Sequence, residues 1–132
     1  MQFTTAFIIT AIAGLSLAAP VIEERYVGGA CGIHVTQYQK NELGIGSEYE
    51  FDVQIKDAVG AILGGTNHQA VADRSSAYIT SELPYGLILT TGSVDSDPIT
   101  FAYAGQTWSS SSGCSTGAYS GGNRDMDCGF TC

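Results

Sequence analysis

The chain has 132 residues, with 13 acidic side chains against 5 basic ones and a formal net charge of −8. That balance excludes electrostatic binding to nucleic-acid phosphates or to an anionic membrane surface. The length suits one domain around one core, and no linker, composition break or internal repeat divides it.

Residues 1–18 read as a signal peptide. An apolar run extends from Ala6 to Leu17, and Ser16 and Ala18 suit the −3 and −1 positions of a signal peptidase site. The run is too short to span a bilayer comfortably, and no second apolar run of that kind follows, so stable membrane insertion is not expected. Residues 19–30, "APVIEERYVGGA", form an N-terminal extension. Glu24-Arg25 is a weak propeptide cut, which leaves the mature start open between Ala19 and Tyr26. Residues 31–132 are then a single secreted, extracellular domain, still acidic without Glu23, Glu24 and Arg25.

The domain reads as strand after strand. "CGIHVTQYQ" opens it. In "EYEFDVQIK", Tyr49, Phe51, Val53 and Ile55 alternate with Glu48, Glu50, Asp52, Gln54 and Lys56. Period two puts the first set on a buried face and the second on a wet, acidic one. "VGAIL", "AYIT" and "GLILTT" follow. "ITFAYAG" repeats the alternation with Ile99, Phe101 and Tyr103 inward, and "MDCGFTC" closes the chain. Turn chemistry separates these runs at Asn41 to Gly46, Gly64-Gly65, Leu83-Pro84, Ser93 to Pro98 and Ser109 to Gly113. No stretch shows a helical period. The expected fold is all-β, a small antiparallel β-sandwich or barrel stabilised by two disulfides.

All four cysteines, Cys31, Cys114, Cys128 and Cys132, lie after the signal. An even count in a small secreted chain reads as a disulfide framework, with three possible connectivities. The favoured pairing joins Cys31 to Cys132 and Cys114 to Cys128. The first bridge would tie together the two ends of the domain, and the second would close the loop "STGAYSGGNRDMD".

Catalytic motifs are missing. His34 and His68 belong to no metal-ligand spacing, no nucleophile elbow occurs, and oxidised thiols are poor nucleophiles. Glu48, Glu50 and Asp52 line one strand face, which reads as a solvated surface. Asp95, Asp97, Asp125 and Asp127 are oxygen donors of the kind calcium takes, but neither pair sits in an EF-hand loop. No cofactor is expected. Trp108 and Tyr119 lie in or beside the Ser/Gly-rich stretch 109–123, and Tyr85 follows Pro84. Aromatics on loops suit partner or sugar contacts, so Trp108 and Tyr119 are the candidate partner-binding residues. The competing reading of Trp108 is a plug for one end of the barrel.

"CGIHVTQYQKNE", "YEFDVQIKD", "LPYGLILTTGSVDSDPITFAYAGQTWSS" and the tail "GNRDMDCGFTC" resemble a group of secreted fungal proteins. These are the hypersensitive-response-inducing elicitors of plant-pathogenic fungi of the rice blast and grey mould type. The resemblance covers nearly all of the mature chain. It implies an effector secreted into the plant apoplast that elicits cell death and defence responses and contributes to virulence. Its partner would be a plant apoplastic or cell-surface component, and the family offers no catalytic residues to carry over. Two alternatives are a small secreted hydrolase, such as a guanyl-type ribonuclease or toxin, and a carbohydrate-binding module. The ribonuclease would draw on His34, His68, Arg74 and one of Glu48, Glu50 or Glu82 for general acid–base chemistry.

Overall fold

A computed structural model describes residues 26–42 and 44–132. The signal peptide and most of the N-terminal extension lie outside the described residues. Among the described residues nine strands form: β1 (Ala30–Tyr38), β2 (Tyr49–Lys56), β3 (Ile62–Val71), β4 (Ser76–Ile79), β5 (Leu87–Thr90), β6 (Thr100–Tyr103), β7 (Gln106–Ser109), β8 (Cys114–Thr116) and β9 (Asn123–Thr131). All pairings are antiparallel. One sheet has the order β8-β9-β1-β2-β3 and the other the order β4-β5-β6-β7. The protein is a small β-sandwich, as its alternating strands predict.

Alternation builds the core directly. Ile33 and Val35 of β1, Phe51, Val53 and Ile55 of β2, and Met126 of β9 point inward from the first sheet. Leu87, Leu89, Phe101 and Tyr103 meet them from the second, all almost fully buried. Each such side chain contributes roughly 1.5–3 kcal/mol by leaving water. Both disulfides are present, Cys31–Cys132 and Cys114–Cys128, with Cα atoms 5.7 and 4.1 Å apart. Cys114 and Cys128 stand opposite each other in the β8–β9 register. Residues 26–30 belong to the packed body. Tyr26 lies on the core, Val27 N–H donates to Asp57, and Gly29 and Cys132 exchange backbone hydrogen bonds.

The structure corrects one turn. Gly64-Gly65 does not end a strand at Leu63; β3 runs through it to Val71. The two glycines take φ of +148° and +145°, and a Cβ on Gly65 would collide with the Val53 carbonyl. They therefore mark close backbone approach in a bulged strand rather than a reversal. β7 and β8 are further strands that the sequence pattern did not single out. Each edge where the sheets meet is partly stitched. Gly64 bridges to Ser81. On the opposite side the Gln106 amide pairs with the Thr131 backbone, donating to its carbonyl at 2.7 Å and accepting from its N–H at 2.9 Å. A side chain here takes the place of a neighbouring strand.

Candidate functional site

The parity that buries Ile33, Val35 and Phe51 sends their neighbours to the outer face of the first sheet. His34, Thr36 and Tyr38 come from β1, Glu50, Asp52 and Gln54 from β2, and Asp125 and Asp127 from β9. Register then decides who meets whom. Asp127 stands opposite His34, Asp125 opposite Thr36, and Tyr38 opposite Glu50.

Two clusters result. His34 Nδ1 lies 2.7 Å from Asp127, and its Nε2 lies 3.5 Å from Asp125. Thr36 donates its hydroxyl to the same Asp125 at 2.6 Å. Two strand positions further along, Tyr38 donates to Asp52 at 2.5 Å. His68 is brought in by a bulge: the β2–β3 register slips between Phe51 and Val53. There His68 takes a positive φ of 50° and donates its backbone N–H to Asp52 at 2.7 Å. Its ring then stacks on Tyr38, centroids 4.8 Å apart, and its Nδ1 meets Glu50 at 2.9 Å. The Asp52 hydrogen bond, helped by burial, pushes the Tyr38 phenol up to about 12, so it remains a donor.

Both histidines, four carboxylates and a tyrosine thus share one face, and each is already engaged by a neighbour. The ion pairs of this face are all histidine–carboxylate. The cation of the ribonuclease alternative, Arg74, is used elsewhere and donates to Ser93. Arg124 reaches inward to Gln37 and the Asp97 carbonyl. Glu82 and Glu48 stand outside the two clusters and are exposed. Among the described residues no group of three or more His, Cys, Asp or Glu is arranged to hold a metal ion. Asp95 accepts from Gln39, and Asp97 accepts from the Ser93 and Val94 backbone N–H groups.

Trp108 and Tyr119 are placed in different neighbourhoods. Trp108 stacks against Phe101 and Phe130 beside the core. Tyr119 is half-buried, donates to the Asp95 carbonyl at 2.9 Å, and has the Arg124 guanidinium over its ring at 4.8 Å. Burial raises its hydroxyl to about 12.

Comparison with known proteins finds no matching family model, no matching curated protein and no matching solved structure.

Proposed function

We propose that the protein is a secreted effector of the elicitor type, a non-enzymatic interaction protein that induces plant cell death and defence from the apoplast. The two disulfides fit an extracellular, oxidising environment. The resemblance to fungal elicitors supplies the biological setting. The observation that carries the non-enzymatic part is the outer face of the first sheet: its histidines sit among carboxylates, while Arg74, the cation a phosphodiester chemistry would draw on, donates to Ser93 instead.

One observation favours a second reading. His34, His68 and Glu50 share a face, as a phosphodiester hydrolase would need. Against it, Glu50, Asp52, Asp125 and Asp127 on that face repel a phosphate backbone. One experiment separates the two. Purified protein is infiltrated into leaves, native and reduced-and-alkylated, beside a ribonuclease assay, with the double variant His34→Ala, His68→Ala in parallel. The elicitor reading expects cell death from the native protein and the variant alike, and no RNA cleavage. RNA cleavage that the double variant loses would install the hydrolase reading instead.

A further inference from the structure

The outer face of the second sheet differs in kind from that of the first. Two rows cross it in register. One is Tyr78, Ile88, Ala102 and Thr107; the next is Ser76, Thr90, Thr100 and Ser109. Neither row contains a charged side chain, on a protein whose formal net charge is −8. The second row is all hydroxyl, and Ser76 and Thr90 already share a hydrogen bond of 2.7 Å. An open groove of about 340 Å³ runs along the β6–β7 side, lined in part by Thr90, Thr100, Thr107 and Ser112. A second, of about 160 Å³, lies at the other edge between Tyr78, Ser81 and Tyr85.

Tyr78 is built as a platform. The residue is 66% exposed, yet its ring is not free. The Gly86 N–H donates to its hydroxyl at 3.0 Å, and a Cβ on Gly86 would fall onto the ring itself. One ring face therefore rests on glycine backbone and the other is offered to solvent. Tyr85, 62% exposed, stands beside it.

We propose that this face binds a neutral polysaccharide. A fixed, solvent-facing aromatic ring gives the flat apolar surface on which the C–H face of a sugar ring rests. A row of hydroxyls gives donors and acceptors that a sugar can satisfy, whereas an apolar protein partner would leave them buried and unpaired, at a cost. Absence of charge suits an uncharged polymer, and the negative field of the rest of the molecule turns away an acidic one. Two open grooves, one reaching from Thr90 across β6 and β7 and one beside Tyr78 and the loop after β4, suit an extended chain rather than a single small ligand. The site uses none of the first sheet's polar cluster, and its occupancy is measured without a leaf, so it stands or falls apart from the elicitor reading.

The test is native affinity electrophoresis through gels containing soluble xyloglucan, β-1,3-glucan or galactomannan, with polygalacturonate as the acidic comparator. At least one neutral polymer should retard the wild-type protein, and polygalacturonate should not. Tyr78→Ala should weaken retention about tenfold, as loss of a central aromatic contact does. Thr100→Lys, a change at an exposed strand position, should weaken it as well and guards against a folding defect peculiar to Tyr78→Ala. The double variant His34→Ala, His68→Ala should bind as wild type. The proposal is overturned if no neutral polymer retards the protein, or if both face variants bind unchanged. It is also overturned if sedimentation shows a dimer that Tyr78→Ala dissolves, since the face would then belong to a second copy of the chain.

Discussion

Trp108 lies flat on Phe130, the rings 9° from parallel and their centroids 5.4 Å apart. Phe101 stacks beside the indole at 5.8 Å, so one aromatic pile ties β7 to β6 and to β9 of the other sheet. Removing its middle member opens a cavity between the sheets. Trp108→Ala should destabilise the fold by about 3 kcal/mol, the low end for truncating a packed aromatic, because Trp108 is only partly buried. The melting temperature should fall by more than ~10 °C on the usual scaling for a domain of this size. Trp108→Phe should recover most of the loss. The chain has one tryptophan, so denaturant unfolding of the wild type is read by fluorescence and that of the variants by circular dichroism.

The two disulfides close loops of very different length, with sequence separations of 101 and 14. In the chain-entropy account the longer is worth about 4.7 kcal/mol and the shorter about 3 kcal/mol. The double change Cys31→Ser, Cys132→Ser should therefore cost more than Cys114→Ser, Cys128→Ser. The short bridge joins residues that β8 and β9 already hold opposite each other, which widens the difference. Paired urea titrations measure it. Equal midpoints, or the reverse order, would mean that the unfolded chain is not what these bridges act on.

Acid should weaken the fold through two loop carboxylates. Asp57 accepts backbone hydrogen bonds from Val27, Ala61 and Val59, and these hold its carboxyl below the ordinary range. Asp97 is lowered likewise by the Ser93 and Val94 N–H groups. A carboxylate lowered on folding contributes stability that is present above its unfolded pKa, near 3.9, and lost as pH falls through the folded value. Stability should thus be level above about pH 5 and decline below about pH 4. In Asp57→Asn, Asp97→Asn that decline should be shallower. Thermal melts from pH 2 to pH 7 on both proteins check it.

How much of this was legible in the sequence depended on how far a residue's position followed from parity alone. "EYEFDVQIK" reads out its own two faces, and the buried set Tyr49, Phe51, Val53 and Ile55 is the one found. His34 on the outer face follows from Ile33 and Val35 in the same way. That Asp125 and Asp127 would share His34 needs the β9–β1 register, which depends on a pairing of residues some ninety positions apart. His68 was harder still. The bulge that turns it onto Tyr38 shifts the register of β3, and no pattern in "GGTNHQA" announces an extra residue. β7 escaped for a different reason: "QTWS" is too short to show a period, and its place is fixed by Phe101, Phe130 and Thr131 rather than by its own sequence.

The bulge makes a prediction of its own. His68 holds a left-handed backbone conformation that costs a non-glycine residue about 1–2 kcal/mol. Its side chain offsets part of that through the Tyr38 stack and the Glu50 contact, both at the surface, where such interactions contribute roughly 0.5–1 kcal/mol. His68→Ala keeps the strained backbone and discards the side-chain contacts, so it should destabilise by up to about 1 kcal/mol. His68→Gly discards the same contacts but also relieves the strain, so it should come out close to wild type. Glycine should therefore exceed alanine in stability by about 1 kcal/mol, the opposite of the order in an ordinary strand interior, where glycine weakens the fold. Urea unfolding of the three proteins decides it. If alanine is the more stable, the left-handed bulge is not how β3 brings His68 to Asp52 in solution, and the joining of Tyr38, Asp52 and Glu50 around it loses its backbone support.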